Sequence, residues 1–362
     1  MIAVSTSDLA QPEHFPRTRY QGSKRRFAAA IVNHLRKLDY ETVLDAFGGT
    51  GAVAYAFKCA GYAVTYNDIL SFNHQFGLAL IENNDTTLSL RDADRLGVRR
   101  RRVVYDDFIE QTFDGVYFTQ QENRWLDQAA KNIANLHGKY ERAIAWFAVS
   151  QAALAKRPYN LFHRRNLYMR LAKVPRTFGN KASWDRSFRD HVRAFVLEAN
   201  RAIFSSARQC QAIRRDIREL SSNFDLVYLD PPYINGSGVG VNYRDFYHFL
   251  EGLVEYDAWP ARVDYTSAHR TLRRQPHDWS NPAIAPKRFQ ECLEHFSKCQ
   301  LAVSYRSDGI PSIAELARMI RRVKGRVKII DLAARQYALS TRTRTREVLL
   351  IGTREMNGPR SR

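Results

Sequence analysis

The chain has 362 residues, of which 44% are hydrophobic, 26% charged and 12% aromatic. This composition excludes disordered, fibrous and collagen-like proteins and fits a globular protein with a sizeable core. Lysine and arginine number 56 against 37 aspartates and glutamates, a formal net charge of +19, which favours a polyanionic partner, with nucleic acid ahead of a membrane surface. Since single cores stop growing at roughly 250–300 residues, we expect a domain with an insertion.

The chain contains four cysteines: Cys59, Cys210, Cys292 and Cys299. They lack paired CxxC spacing, so the sequence indicates neither a disulfide framework nor a metal site and favours a reducing cytoplasm. The N-terminus lacks the pattern of a signal peptide. The most apolar run, Ala143 to Ala155, is too short to cross a bilayer and predicts a buried helix. We therefore expect a cytoplasmic protein that makes no membrane contact.

The first elements along the chain predict a βαβ unit. Residues 42–45 form a short apolar run that ends in Asp45, and the sequence Phe47-Gly48-Gly49-Thr50-Gly51 separates it from a helix-like stretch, Ala52 to Ala60. A second strand is predicted from Ala63 to Asp68, which also ends in an acid. Such a unit indicates a parallel sheet with right-handed crossovers.

From Ser71 to Arg201 the pattern changes to helix-like stretches rich in arginine, asparagine, glutamine and aromatic residues. This stretch carries no strong signal for parallel strands, so we interpret it as the insertion. The prediction is a discontinuous α/β domain, residues 17–70 and 200–354, interrupted by a mainly helical region, residues 71–199. Residues 1–16 and 355–362 are expected to be flexible termini.

Further strands are predicted after the insertion. Residues 224–229 form an apolar run that leads directly into Asp230-Pro231-Pro232-Tyr233. The two prolines exclude ladder pairing and helix, so this motif must lie on a loop at the carboxyl end of a strand. Three more strands are predicted at residues 301–305, 326–331 and 347–352, with a helix at residues 313–323. The last two strands are candidates for antiparallel pairing.

The glycine-rich sequence after Asp45 brings flexible backbone close to a ligand, because glycine lacks the Cβ that would clash. It is neither the phosphate-binding pattern GxGxxG nor a P-loop, so a nucleoside-like ligand is favoured over a phosphate-bearing one. Asp68 lies one βα unit further on, where a carboxylate can accept both ribose hydroxyls of such a ligand. The alternative is that Asp68 caps a helix or a tight turn.

The sequence Asp230-Pro231-Pro232-Tyr233 is the most informative motif. Its prolines fix the backbone so that the Asp230 carboxylate and the Pro231 carbonyl can point the same way, giving two acceptors for an exocyclic NH2 group. Tyr233 offers a flat face on which a base extruded from a duplex can stack. The alternative is a Pro-Pro turn with an exposed tyrosine.

Three motifs, at residues 19–24, 45–51 and 230–233, resemble in content and order the signatures of the Dam-like, alpha-group adenine-N6 DNA methyltransferases, which use S-adenosylmethionine. The resemblance implies an α/β fold with a Rossmann-like class I methyltransferase sheet and an inserted, mainly helical target-recognition region. It also implies a set of cofactor-pocket residues: Tyr20, Gly22, Lys24, Asp45, Phe47, Gly48, Gly49, Gly51, Asp68 and Asp216. Ser23 stands where the family has a second glycine, and Glu219 competes with Asp216 for contact with the cofactor adenine.

The same resemblance implies the catalytic residues Asp230, Pro231, Pro232 and Tyr233. The lone pair of adenine N6 is delocalised into the ring and is a poor nucleophile, whereas a sulfonium methyl is a strong electrophile. We expect Asp230 and the Pro231 carbonyl to hold the amino hydrogens and to place the nitrogen in line with the methyl group. Catalysis is then mostly positioning and electrostatics.

Within the insertion, a basic stretch interleaved with aromatic residues predicts contacts with DNA. Cations suit phosphates, and arginine and asparagine suit base edges. The candidates are Lys156, Arg157, Arg164, Arg165, Asn166, Lys173, Arg176 and Lys181. The alternative for any one of them is a solvated basic face. Tyr243 and Phe246, after the catalytic loop, are candidates for a wall of the base pocket, with packing as the alternative.

These features predict a methyltransferase that acts on adenine N6 in a short, specific sequence of double-stranded DNA. We expect the modification activity of a restriction-modification or phage-type system, with a cognate restriction endonuclease as a candidate partner and a monomer or weak dimer as the working form. Alternatives are a cytosine-N4 DNA or adenine-N6 RNA methyltransferase, and a catalytically silent nucleic-acid-binding subunit. An NAD-dependent oxidoreductase also uses a glycine turn and an acid, but it gives no reason for the proline motif.

Overall fold

The computed structural model describes residues 12–173, 181–275, 278–335 and 345–354. The chain divides into two compact units, each built from three stretches of sequence. The first unit comprises Met1–Ser23, Leu70–Ser206 and Tyr243–Arg274, and the second comprises Lys24–Ile69, Ala207–Asn242 and Gln275–Arg362.

Within the described residues, strands and helices are numbered along the chain. The strands are β1 (Thr42–Asp45), β2 (Ala63–Asn67), β3 (Gln211–Ile213), β4 (Leu226–Leu229), β5 (Ile234–Asn235), β6 (Gln300–Arg306), β7 (Gly309–Ile310), β8 (Arg326–Arg335) and β9 (Thr345–Thr353). The α-helices are α1 (Ala28–Leu35), α2 (Ala52–Cys59), α3 (Ser71–Gly77), α4 (Leu90–Arg95), α5 (Phe108–Thr112), α6 (Gln120–Ala134), α7 (Lys139–Ala155), α8 (Leu167–Leu171), α9 (Lys181–Asp185), α10 (Phe188–Ala202), α11 (Tyr243–Phe246), α12 (His248–Val254), α13 (Trp259–Arg262), α14 (Ala285–His295) and α15 (Ile313–Lys324).

The second unit is built on a seven-stranded sheet with the order β3-β2-β1-β4-β6-β9-β8. Neighbours from β3 to β6 pair in parallel, whereas β9 pairs antiparallel with both β6 and β8. The strand order reverses between β1 and β4, which is the position where open α/β sheets bind their ligands. The predicted Rossmann-like, mostly parallel sheet is confirmed.

One apolar cluster of this unit lies between the sheet and two helices. Leu44 of β1 and Val227 of β4 are fully buried, and they belong to one apolar cluster with Leu293 of α14 and Ile320 of α15. The predicted strands and the antiparallel pairing of the last two are confirmed. Sequence reasoning missed β3, because its three residues are too few for a periodic pattern to emerge.

In the described part of the first unit, the regular elements are all helices, and the β structure is limited to one isolated bridge between Val263 and Leu272. In α7 every residue from Ala143 to Ala155 is buried, as predicted from its apolar composition, and this helix packs along α10. The unit extends beyond the predicted insertion, because it also includes Tyr243–Arg274. Phe249 of α12 explains this assignment: its ring stacks on Phe162 at 4.9 Å in the aromatic core of the unit.

Residues 12–16, which the sequence assigned to a flexible N-terminus, have ordered contacts within the first unit. Pro12–His14 form a 3-10 turn that contacts α10, and Phe15 is buried. The backbone amide of Arg17 donates to Glu198 of α10 at 2.8 Å. Residues 1–11 and 355–362 lie outside the described residues. Among the helices of the described chain, none combines the length and apolarity needed to cross a membrane.

Candidate active site

Carboxylates follow four neighbouring parallel strands of the second unit. Asp45 is the last residue of β1, Asp68 follows β2, Asp216 follows β3 after two residues, and Asp230 directly follows β4. Because adjacent parallel strands end at the same edge of a sheet, these acids lie along one edge. That edge contains the position where the strand order reverses, between β1 and β4, and is therefore the candidate ligand site.

The glycine turn between β1 and α2 is fixed by side chains from β2 and the residue after it. Gly49 donates its backbone amide to Oδ2 of Asp68 at 2.9 Å and accepts from the Tyr66 hydroxyl at 2.7 Å. A Cβ at Gly48 would lie 2.0 Å from the Tyr66 ring, so only glycine fits there. Gly51, the residue before α2, has φ +82°, a conformation that glycine adopts without strain. The glycine turn predicted to approach a ligand therefore has a backbone conformation fixed by these contacts, and Phe47 is its first residue.

Asp45 lies beneath this turn and is almost fully buried. Its Oδ2 accepts from the amide of Ala54 in α2 at 3.2 Å. Burial raises the pKa of the Asp45 carboxyl well above its usual range, and the nearby charges of Asp230 and Asp68 act in the same direction. Asp45 therefore holds the start of α2 against the end of β1.

Asn67, which sequence reasoning missed, joins two loops at the edge of the sheet. Its Nδ2 donates to the carbonyls of Ala46 at 3.0 Å and Arg215 at 3.2 Å, and its Oδ1 accepts from the Arg215 amide at 3.0 Å. The side chain thereby connects the glycine turn to the segment that carries Asp216. The sequence signal for this role is an asparagine at the predicted end of a strand, directly before Asp68.

Asp216 caps the short 3-10 turn of residues 217–219. Its Oδ1 accepts from the Arg218 amide at 3.0 Å, and its Oδ2 forms an ion pair with the Arg218 guanidinium at 2.7 Å. These contacts with Arg218 lower the pKa of the Asp216 carboxyl. The competing Glu219 is exposed.

A three-member charge cluster surrounds the proline motif. The Lys24 ammonium lies 2.8 Å from Oδ1 of Asp230 and 3.2 Å from Oε1 of Glu347 in β9. Lys24 and Glu347 are almost fully buried, and Asp230 is 19% exposed. Burial raises the pKa of Asp230 to about 6; the charge of Glu347 also raises it, while Lys24 opposes both. The structure therefore brings Lys24, predicted as a cofactor residue, to the predicted catalytic carboxylate.

The other members of the proline motif are largely enclosed. Pro231 is buried, and Tyr233 is only 4% exposed. The guanidinium carbon of Arg306 lies 4.6 Å from the centre of the Tyr233 ring. The alternative of an exposed tyrosine on a Pro-Pro turn does not agree with this burial, and one face of the ring is already covered by a cation.

Tyr20 and Gly22 belong to the first unit, whereas Lys24, from the same sequence motif, belongs to the second. The Tyr20 ring is nearly parallel to those of Tyr247 at 4.7 Å and Tyr243 at 5.4 Å. Gly22 has φ +82°, and a Cβ there would lie 2.5 Å from the Tyr243 hydroxyl oxygen. Within this unit, Tyr243, predicted as a wall of a base pocket, packs on the N-terminal motif.

Three of the predicted DNA-binding residues are buried, which does not agree with direct contact to DNA. Lys156 donates to the Trp184 carbonyl at 2.8 Å and pairs with Glu122 at 2.9 Å. Arg157 donates to the Arg164 carbonyl at 2.7 Å, and its guanidinium covers the Tyr117 ring at 4.3 Å. The third, Asn166, is 4% exposed. Their polar groups are used inside the first unit, so composition alone was misleading.

The remaining candidates differ from these in exposure. Arg164, Arg165, Lys173 and Lys181 are exposed in the first unit. Tyr168, also exposed at 71%, lies between them in sequence. Lys181 pairs with Asp185 at 2.9 Å. Arg176 lies outside the described residues.

The chain is similar in sequence to three known methyltransferases. The type II methyltransferase M2.HphI of Haemophilus parahaemolyticus is 28% identical over 330 residues, 88% of this chain and 91% of that protein. The modification methylase StsI of Streptococcus sanguinis is 25% identical over 358 residues, 91% of this chain and 50% of that protein. The modification methylase LlaI of Lactococcus lactis subsp. lactis is 24% identical over 343 residues, 88% of this chain and 51% of that protein. The chain thus spans about half the length of the last two.

A solved rRNA methyltransferase, AviRa from Streptomyces viridochromogenes, aligns over 97% of this chain and 93% of its own, but its TM-score of 0.30 and 13% identity support no conclusion.

The family model of the D12 class N6 adenine-specific DNA methyltransferases matches residues 20–282. This match runs from the N-terminal motif through the glycine turn and the proline motif, which together carried the predicted resemblance. The chain therefore belongs to the D12 class of N6 adenine-specific DNA methyltransferases.

Proposed function

We propose that the chain transfers a methyl group from S-adenosylmethionine to the exocyclic N6 of an adenine flipped out of a specific sequence in double-stranded DNA. We also propose that it serves a restriction-modification system, as the names of its relatives M2.HphI and StsI suggest, with a restriction endonuclease of the same specificity as its partner. The observation that carries the proposal is the partly exposed Asp230 carboxylate, paired with the buried Lys24 where β4 meets the proline motif.

The residues at the edge of the sheet fit S-adenosylmethionine. This molecule offers ribose hydroxyls and amino groups as hydrogen-bond donors, together with a sulfonium cation, and the edge offers the carboxylates of Asp68 and Asp216, while the buried Asp45 holds the turn between them from within. The glycine turn lies at the same edge and is held in shape by Asp68 and Tyr66. Asp68 is proposed to accept the ribose hydroxyls, since the Gly49 amide fixes its Oδ2, and Asp216 to face the adenine. When bound, the cofactor supplies an electrophilic methyl group.

Asp230 supplies the acceptor for the target amine. In its ionised form it accepts one hydrogen bond from the N6 amino group, and the Pro231 carbonyl accepts the other. Holding both hydrogens orients the nitrogen lone pair out of the plane of the base. Catalysis by this pair is positioning and electrostatic. The nitrogen that has received the methyl group carries a surplus proton, which is acidic and passes to water, so the reaction requires neither a cysteine nucleophile nor a strong base.

Lys24 and Glu347 set the charge state of Asp230. The Lys24 ammonium favours the ionised carboxylate, whereas the Glu347 carboxylate disfavours it. Burial is the largest cause that raises the pKa of Asp230, and Lys24 limits the rise to about 6, so that Asp230 is ionised at neutral pH. We therefore assign Lys24 to positioning the catalytic carboxylate rather than to direct contact with the cofactor.

DNA is proposed to contact the exposed basic residues of the first unit. Arg164 and Arg165 are exposed on one loop, and Lys173 follows the short helix α8. Arg170 of that helix is buried and donates to Glu122 at 2.7 Å, and Lys156 pairs with the same carboxylate. A buried ion cluster thus supports the loop whose outer cations are available for phosphates.

The experiment that tests the proposal uses purified protein, isotope-labelled S-adenosylmethionine and methylation-free DNA, with RNA as a parallel substrate. After digestion to nucleosides, mass spectrometry identifies the labelled species. We expect N6-methyldeoxyadenosine from DNA, lost in Asp230→Ala and retained in Asp331→Ala, an exposed acid on β8. Label in cytosine or only in RNA would refute the proposed substrate, and full activity of Asp230→Ala would refute the mechanism.

A further inference from the structure

A second cation, Arg306, contacts the catalytic motif, at Tyr233 and not at Asp230 as Lys24 does. Arg306 is the last residue of β6, and its guanidinium lies over the ring of Tyr233 with 4.6 Å between the guanidinium carbon and the ring centre. The Tyr233 side chain is 4% exposed and that of Arg306 13% exposed. At this distance and burial a guanidinium stacks favourably on an aromatic face.

Asp308 fixes the orientation of the guanidinium. Arg306 donates from Nε to Oδ1 of Asp308 at 2.9 Å and from its second terminal nitrogen to Oδ2 at 2.7 Å. Two parallel hydrogen bonds of this kind determine the plane of the guanidinium, which a single contact does not. Asp308 is 36% exposed, so it carries its charge at little desolvation cost.

The backbone on both sides of the contact is also held. Arg306 pairs with Glu347 in the ladder between β6 and β9. Beyond Asp308, the two-residue strand β7 pairs antiparallel with β5, the strand that directly follows Tyr233. The ring and the guanidinium are therefore carried by two segments that are joined to each other immediately next to the contact.

We propose that Arg306, held by Asp308, is a positioning residue that fixes the ring of Tyr233 for stacking on the flipped-out base. The inference rests on the proposed function, in which Tyr233 is the stacking partner. One face of the ring is covered by Arg306 and the ring belongs to the apolar cluster of the second unit, so the base is proposed to take the place of protein contacts on the opposite face while the arginine prevents the ring from rotating. A stacking surface that is already oriented loses less entropy on binding the base.

The test uses the DNA site at which the enzyme methylates, with 2-aminopurine in place of the target adenine as a fluorescent reporter of base extrusion. Arg306→Ala and Tyr233→Ala are compared singly and combined. We expect each single substitution to lower kcat/KM about tenfold, the size of a desolvated cation–π contact, and to change the reporter signal in the same direction. In the Tyr233→Ala background, Arg306→Ala should add less than about twofold, because the interaction it serves is already absent.

Further variants separate positioning from stability. Arg306→Lys keeps the charge but not the planar fork, and Asp308→Asn keeps the shape but not the ion pair, so each should lose part of the activity at an unchanged melting temperature. Arg208→Ala, which breaks an exposed pair with Glu41 in the same unit, is the control and should keep full activity.

The outcomes are distinguishable. If Tyr233→Ala keeps both activity and reporter signal, the stacking role of Tyr233 fails, and this inference fails with it. If Tyr233→Ala loses both while the Arg306 and Asp308 variants keep both, the inference alone is overturned and the proposed function stands. If the losses of kcat/KM from Arg306→Ala and Tyr233→Ala multiply in the double variant, Arg306 acts independently of Tyr233, and the inference is overturned.

Discussion

The ammonium of Lys24 lies within 3.2 Å of two carboxylates, Asp230 at the end of β4 and Glu347 in β9. Burial disfavours the ionised form of Asp230 and is the main cause that raises its pKa to about 6. The Lys24 ammonium opposes this shift, whereas the charge of Glu347 adds to it. The group proposed to accept hydrogen bonds from adenine is therefore sensitive to pH near neutrality.

The first prediction is the pH profile of methylation. Asp230 must be ionised to accept a hydrogen bond from the amino group, and its raised pKa means that the ionised form is lost as the pH falls through about 6. We expect kcat/KM to be constant above about pH 7 and to fall about tenfold for each further unit below about pH 6. Initial rates between about pH 5 and about pH 9, at constant ionic strength, measure this profile. An acidic limb near the ordinary aspartate value would contradict it.

The second prediction is that substitutions at the two neighbours of Asp230 move this limb in opposite directions. Lys24→Met removes the charge that lowers the pKa of Asp230, so the limb should move to higher pH; Glu347→Gln removes a charge that raises it, so the limb should move to lower pH. Each displacement should be about one unit or more. Melting temperatures of both variants serve as the control, since breaking a buried ion pair also costs stability. Displacements of the same sign would refute the assigned electrostatics.

The third prediction concerns the cofactor. Asp68→Ala removes the carboxylate proposed to bind ribose and also the acceptor of the Gly49 amide, so the dissociation constant for S-adenosylmethionine should rise at least about tenfold, as expected for the loss of a charge-assisted hydrogen bond. Isothermal titration calorimetry without DNA measures the constant directly. Asp331→Ala, an exposed acid on the edge strand, should leave it unchanged. Equal affinities of Asp68→Ala and the wild type would exclude Asp68 from the cofactor site.

The fourth prediction separates exposed from buried cations in the first unit. Arg164→Ala and Arg165→Ala should each weaken DNA binding and reduce the slope of log K against log salt by about 1. Lys156→Ala should instead lower the free energy of unfolding by about 3–5 kcal/mol, because it leaves Glu122 with one buried partner fewer. Fluorescence anisotropy at several salt concentrations and denaturant titrations measure the two effects. Lys287→Ala, at an exposed site in α14, is the control for both, and an unchanged salt slope in the arginine variants would refute the proposed surface.

Much of the second unit follows from local sequence patterns. Asp45, the glycine turn and Asp68 were predicted together, because a βαβ unit places its acids and glycines at fixed positions along the chain. The three-residue strand β3 was not predicted, since it is too short to show a period. The assignment of Tyr243–Arg274 to the helical unit was not predicted either, because it depends on tertiary contacts such as that of Phe249 with Phe162.

The electrostatic partners in the site could not be derived from sequence. Lys24 and Glu347 are far apart along the chain, and only the antiparallel register of β9 beside β6 brings the glutamate to the lysine. The buried Lys156 and Arg157 show the same limit: both were predicted to contact DNA from their basic composition. Which cations of a basic stretch point inward depends on acceptors elsewhere in the fold, here Glu122 and backbone carbonyls.

The last prediction tests the packing of the N-terminal motif in the first unit. Gly22→Ala should destabilise this unit for two reasons: φ is +82°, which costs a residue with a side chain about 1–2 kcal/mol, and the new Cβ would lie 2.5 Å from the Tyr243 hydroxyl. Tyr243→Phe removes that oxygen, so in its background Gly22→Ala should cost only the backbone part.

Gly115→Ala provides the matched control for this prediction, because Gly115 lies in the same unit with φ +64°, and a Cβ added there would meet no atom within 4 Å. Its cost should be the same with and without the Tyr243 hydroxyl. Denaturant midpoints of the four Gly22 and Tyr243 combinations give the coupling free energy. A coupling of zero would show that Tyr243 does not restrict residue 22, and glycine would then be required there for its backbone conformation alone.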